Sequence, residues 1–315
     1  MLTLFAIPKA FQGHTEIIQQ NAIRSWTFLS PPPEIILFGN DKGTAEIAKE
    51  LNLHHVPDVA VNEFGTPLLS DIFAKAHQLA HGDLLCYANA DIIITSDFMK
   101  ALQKVKQSFS RFLLISKRWD LEVNEPIDFS KDWEEMLLLK VSKFGKFRGV
   151  SFVDVFAFTR GLFESIPAFA IGRLYWDSWL VYKARLEKIP VVDATPVLKV
   201  IHQIHDYSHI GNKEKVFDVQ QVEAQRNLTL YGNHKPLFQF RDTTHLLTPS
   251  GLKPAWGTSY LLFKVLRLPL LYPNYNWFFV FLKFLWHLIP RKMRSKVVKS
   301  IKIPYQETLA KKGEA

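Results

Sequence analysis

The stretch Gly82–Phe98, GDLLCYANADIIITSDF, decides how the chain is read. Gly82-Asp83 is a turn signal, and Leu84, Leu85, Cys86 and Tyr87 form a short apolar run that reads as a buried strand. The run ends in Asn89-Ala90-Asp91 and enters a second apolar piece, Ile92-Ile93-Ile94. A carboxylate at the end of a buried strand is costly unless it is paired, hydrogen-bonded or bound to a metal. In an open α/β sheet, ligands sit just beyond the carboxyl ends of the strands. Asp91 is therefore the first candidate for chemistry.

Working upstream, Leu2–Ile7 reads as a strand closed by Pro8, and His14–Trp26 as a helix ended by Ser30-Pro31-Pro32-Pro33. Glu34–Phe38 is a second strand, stopped by Gly39-Asn40-Asp41, and Thr44–Leu51 a second helix. His54–Val59 leads into a loop over Val61–Pro67, and Leu68–Ala80 is a third helix. The order β-α-β-α-loop-α-β implies parallel strands with crossover helices. The first βα turn, Pro8–His14, holds one glycine and matches neither GxGxxG nor a P-loop.

Downstream the pattern is more β-like. Phe112–Ser116 and Asp154–Thr159 read as strands, and Val191–Asp193 as a further core strand. A helix spans Ser178–Glu187 after Trp176-Asp177, and Glu214–Tyr231 looks helical. Lys199–His209 gathers His202, His205 and His209 with Asp206.

Of 315 residues, 48% are hydrophobic and 13% aromatic, enough for a sizeable core. Cys86 is the only cysteine, which excludes a disulfide framework and a cysteine metal cluster. The net charge of +9 is uneven: residues 243–306 carry ten Lys/Arg and no Asp/Glu, whereas residues 1–242 hold 27 Lys/Arg against 28 Asp/Glu. A near-neutral body argues against nucleic acid as a partner, and the basic tail suggests an anionic partner of its own. The start, MLTLFAIPKAF, reads as a first strand rather than a leader. The aromatic segments Trp256–Leu271 and Trp277–Ile289, the latter followed by Pro290-Arg291-Lys292-Met293-Arg294, suit helices lying in a membrane interface. The alternatives are a helix packed on the body or in a dimer, and a re-entrant hairpin. The expected organisation is a body over 1–242 and a helical, basic extension over 243–315.

The element order and the triplet Asn89-Ala90-Asp91 resemble the GT-A nucleotide-sugar glycosyltransferases of the family 2 type, over roughly residues 1–210. The resemblance implies a GT-A fold, with a Rossmann-like, mostly parallel central sheet flanked by helices. It implies transfer of a sugar from a UDP- or GDP-type donor to a glycan or lipid-linked hydroxyl, by an inverting, metal-dependent route. Such enzymes hold Mn²⁺ or Mg²⁺ with a D-x-D motif. Here the first acid is Asn89, so metal affinity would lean on Asp91 and on a late histidine, His202 first and His205 second. Asn89 and Ala90 would line the nucleotide site, with Ala6, Ile7 and Pro8 of the first strand, Gly65 and Thr66 of the loop, and Asp41 near the base or ribose. Lys9, Lys117 and Arg118 are cationic candidates for the diphosphate, and Trp119, Tyr175, Trp176 and Trp179 offer aromatic faces to the acceptor. Asp177 would be the general base, although a carboxylate at a helix start is also a cap. The histidines have a plain alternative in loop hydrogen bonds, and Gly65-Thr66-Pro67 in a simple turn. Asn89 also leaves open a degenerate binding module that transfers nothing. The implied location is cytoplasmic, with peripheral contact on the cytoplasmic face of a membrane.

Overall fold

Continuous apolar runs with no polar face belong to strands covered on both sides. In the computed structural model, which describes residues 1–149, 153–205, 221–232 and 236–272 with Asn274 and Phe284, β1 (Leu2–Ala6) and β4 (Leu84–Ala88) are such strands, buried at every position. They pair in parallel, Leu2 opposite Leu84 and Phe5 opposite Tyr87. On its other side β1 pairs in parallel with β2 (Glu34–Phe38), which pairs in turn with the edge strand β3 (His54–Val56). The crossovers run through α1 (His14–Thr27), α2 (Thr44–Glu50) and α3 (Leu69–Leu79). The chain thus builds outward from β1 on one side, then returns to build on the other. The reversal falls between β1 and β4, the switch point at which open α/β sheets bind ligands.

Beyond β4 the direction changes. The strand β9 (Val155–Thr159) is antiparallel to both neighbours, β4 and β6 (Leu113–Ile115). The sheet continues in parallel through β10 (Val191–Asp193) to β12 (His245–Thr248), then ends in the antiparallel β13 (Gly251–Pro254). Its nine strands run β13-β12-β10-β6-β9-β4-β1-β2-β3. Reversing β9 has one consequence for the site: the residue before it, Asp154, lies at the same sheet edge as the end of β4.

A second sheet of four strands runs β5-β11-β7-β8. It comprises β5 (Ile92–Ile94), β7 (Arg118–Leu121), β8 (Lys146–Phe147) and β11 (Val200–Gln203). It packs under α1, whose Trp26 indole N–H donates to the Ile92 carbonyl at 2.9 Å. It carries its own apolar cluster, where Ile93, Leu121 and Ile201 meet Trp133, Leu137 and Val141 of α5 (Trp133–Phe144). The other described helices are α4 (Asp97–Ser108), α6 (Trp176–Leu186), α7 (Val222–Tyr231) and α8 (Thr258–Leu271).

The helical tail expected from residue 243 begins instead as a hairpin, β12–β13, that extends the main sheet. Its turn, Pro249-Ser250-Gly251, ends on Gly251 at φ 109°, a conformation suited to glycine. Residues 1–261 form one compact unit and residues 262–315 a second. Trp277–Ile289, apart from Phe284, lies outside the described residues. No described helix is long and apolar enough to cross a membrane.

Candidate functional site

A cavity of about 500 Å³ opens at the carboxyl ends of β1 and β4. Nucleotide-sized ligands occupy clefts of this size. From β1 come Ile7, Pro8 and Lys9, and from the end of β2 comes Asp41. Gln19 of α1 fixes the β1 loop from below: its Oε1 accepts the Lys9 backbone N–H at 2.7 Å and its Nε2 donates to the Lys9 carbonyl at 2.8 Å. The facing wall holds Gly65 and Thr66. Buried Asn62 shapes that loop, because its Oδ1 accepts the backbone N–H groups of Phe64 and Thr66, both at 2.9 Å. Glu223 of α7 locks it further, accepting from Asn62 Nδ2 at 2.7 Å and from Arg173 Nη2 at 2.6 Å.

The floor is a chain of polar groups drawn from both sheets. Asp91, three residues past β4, receives His205 Nε2 at 3.0 Å and lies 3.5 Å from His202 Nε2. His202 sits in β11, and its other ring nitrogen, Nδ1, is 3.2 Å from Asp120 Oδ1 of β7. Arg118, two residues earlier on the same face of β7, places Nε 3.0 Å from Asp120 and Nη1 2.8 Å from Asp154. The other Asp154 oxygen accepts Asn89 Nδ2 at 2.8 Å, and Asn89 Oδ1 accepts the Tyr87 hydroxyl at 3.1 Å. The line Tyr87–Asn89–Asp154–Arg118–Asp120–His202–Asp91–His205 is continuous. It explains the amide at position 89: a second carboxylate there would face Asp154, whereas Asn89 donates to it.

Charges in this line set one another. Burial disfavours ionised Asp91, yet His202 and His205 outweigh it and hold the carboxyl well below the usual range. Burial likewise opposes a charged His202, but the neighbouring carboxylates of Asp91 and Asp120 raise it to about 9. The position between Asp91 and Asp120 favours a cation. Asp91, His202 and His205 each offer a ligand atom within 4.8 Å of the others, and buried Asp91 Oδ1 has no hydrogen-bond partner among the described residues. One carboxylate and two imidazoles are a donor set for a divalent transition-metal ion. The second nitrogen of His202, held by a carboxylate, is the arrangement that orients a metal-bound imidazole. The residues therefore fit a divalent metal.

Asp177 lies across the cavity, in the first turn of α6. Burial pushes its carboxyl up to about 6, with the Asp154 charge adding to the rise and backbone hydrogen bonds opposing it. The helix starts on Tyr175 at φ 86°, a left-handed conformation that strains a bulky residue. That turn, tied by the Trp179 N–H to the Tyr175 carbonyl at 3.0 Å, aims the start of α6 at the cavity.

The cavity brings together Ile7, Pro8, Asp41, Gly65, Thr66, Asn89, Ala90, Asp91, Asp177, His202 and His205. Ala6 is fully buried within β1 and does not line it. Lys9 and Arg118 are on its wall, but Arg118 is committed to Asp120 and Asp154. Lys117 faces elsewhere, its Nζ 5.4 Å from the Phe240 ring centroid. Trp176 lines the cavity, whereas Trp179 packs on Phe169 and Trp119 on Phe147. Asp206 and His209 lie outside the described residues. Sequence reasoning missed Gln19, Asn62, Asp120, Arg173 and Glu223, and left Asp154 without a partner. The alternation Arg118-Trp119-Asp120 was the available signal, since period two puts both charges on one strand face.

No family model matches the chain, and no curated protein matches it. Among solved structures it is similar to a mannosyltransferase from Pyrobaculum calidifontis in complex with GDP-Man and Mn²⁺, at 13% identity and TM-score 0.40 over 67% of this chain and 59% of that one. It is similar to glucosyl-3-phosphoglycerate synthase from Mycobacterium tuberculosis with Mn²⁺, UDP and phosphoglyceric acid, at 15% identity and TM-score 0.44 over 74% and 78%. It is also similar to S. aureus TarS 1-349 with UDP-GlcNAc, at 11% identity and TM-score 0.41 over 74% and 71%. The chain thus spans about three fifths of the length of the first of these. Similarity this distant assigns neither activity nor substrate to this chain.

Proposed function

We propose that the chain is a GT-A glycosyltransferase that moves a sugar from a UDP- or GDP-type donor to a hydroxyl on a glycan or lipid-linked acceptor, with inversion. One observation carries this reading. A single cavity at the β1/β4 switch point holds a metal-competent Asp91–His202–His205 set and, apart from it, a carboxylate raised to about 6. The nucleoside lies against Ile7, Pro8, Asp41 and the Gly65-Thr66 loop. Lys9 and Arg173 supply positive charge along the wall. Asp91, His202 and His205 would hold a divalent ion, which would supply Lewis-acid neutralisation of the charge on a leaving diphosphate. Asp177 accepts the acceptor's hydroxyl proton as that oxygen bonds to the anomeric carbon. The bond from the anomeric carbon to the donor phosphate oxygen breaks, and the nucleoside diphosphate departs with its electron pair. Trp176 borders the space beside Asp177, where a sugar ring can stack.

The test pairs binding with turnover. A nucleoside diphosphate at a hundred times its Kd stabilises the fold by about 2.7 kcal/mol, and the thermal shift is expected only when Mn²⁺ is also present. Asp91→Ala is expected to abolish the shift and donor hydrolysis together. Metal-dependent nucleotide binding without turnover of any donor would instead indicate a binding module. That alternative drew on the amide at position 89, which the Asp154 contact explains on other grounds.

A further inference from the structure

Residues 136–149, from the middle of α5 through β8, carry four basic residues and no acid. The inward face of α5 is accounted for by Trp133, Leu137 and Val141, spaced four apart and buried on the second sheet. Large apolar side chains nevertheless stay exposed along this segment. Met136 is 61% exposed, Leu139 49%, Phe144 71% and Phe147 49%. Met136 and Leu139 share a helix face by their spacing of three, and the chain then turns through Gly145 into β8. Lys140 and Lys143, on the same helix, are exposed as well. The acids of α5 are confined to its first turn, where Ser96 holds Glu134 through Oγ at 2.7 Å. A basic C-terminal turn alone would answer the helix dipole, but the dipole does not account for four large exposed apolar groups. Apolar side chains interleaved with lysines are the composition of a segment that lies in an anionic membrane interface.

We infer that the exposed side of α5 docks the protein onto an anionic lipid surface, with Leu139 and Phe144 entering the headgroup boundary and Lys140 and Lys143 meeting lipid phosphates. The surface belongs to the unit formed by residues 1–261. It does not depend on the transfer reading and holds whatever the cavity binds. The same stretch of chain reaches the cavity floor, where Arg148, just past β8, bonds Asp120.

Flotation of the full chain with phosphatidylserine-rich vesicles tests this, with phosphatidylcholine vesicles as the neutral control. Binding to the anionic vesicles is expected. Each removed lysine is expected to lower partitioning about five-fold, so K140A/K143A loses about 25-fold with the tail intact. Leu139→Ser with Phe144→Ser is expected to weaken binding while thermal unfolding stays unchanged. The inference is overturned by absence of vesicle binding, by equal binding of wild type and both variants, or by dimerisation in solution that Phe144→Ser abolishes.

Discussion

Asp177 is the residue whose environment speaks most directly to rate. Its carboxyl is raised from 3.8 to about 6, so below that pH it carries the proton that a base must lack. With Asp177 as the proposed base, kcat/KM for the proposed transfer is expected to fall about ten-fold per pH unit below about 6. Asp177→Asn should cost on the order of 10²–10⁴ in rate and leave no such limb. An acid limb that persists in the variant would assign the base elsewhere. The linkage sign is opposite for stability: the folded chain binds this proton more tightly than the unfolded chain, so stability drops as pH rises from about 4 to about 6. Asp177→Asn is therefore expected to melt higher than wild type at neutral pH, a gain in stability at the expense of activity. Asn89 makes a second residue-scale case. Asn89→Asp would put a carboxylate where an amide now donates to Asp154 at 2.8 Å. We expect a loss of about 1–3 kcal/mol in urea unfolding and no tighter Mn²⁺ binding. A variant as stable as wild type that binds Mn²⁺ more tightly would sink this account.

Among the elements, the strands under greatest apolar demand were the most legible. The runs that became β1, β2 and β4 are buried on both faces, so their side chains advertise them. Two elements were obscured for physical reasons. In β7, RWDL, two positions hold charges that pair inside the protein, so the strand resembles a loop. In α5, Met136, Leu138 and Leu139 blur the stripe formed by Trp133, Leu137 and Val141, because they are apolar too. The candidate site was legible where single polar residues interrupt or follow apolar runs, as at His202 within β11 and Asp91 after β4. The connections Asn89–Asp154 and Arg118–Asp154 were not, since they join residues 65 and 36 apart through a reversed strand. Gly82 offers a test of the β1/β4 pairing. A Cβ at this position would lie 2.0 Å from the Met1 carbonyl oxygen, which is backbone and cannot swing away. Gly82→Ala should therefore force the start of β1 from its register and destabilise by about 1–3 kcal/mol, read in denaturant unfolding. Unchanged stability would show that the strand start yields freely.

For the molecule as a whole, the reversal at β9 and the arrival of β11 between β5 and β7 mean that no contiguous piece of chain contains the site. Asp91 meets His205 across 114 residues, Asn62 meets Glu223 across 161, and Asn21 of α1 meets Gln203 of β11 across 182. Contacts so distant along the chain close late, because the entropy of the intervening loops must be overcome first. The cavity is then a reporter of folding as well as a place for chemistry. During refolding, helix signal is expected to recover ahead of Mn²⁺-dependent nucleotide binding, which should appear with the slowest phase. A nascent chain still lacking β11 would have its Asp91 carboxylate but neither histidine beside it. The cell would thus meet no half-built version of this site able to hold metal and donor before the body has closed.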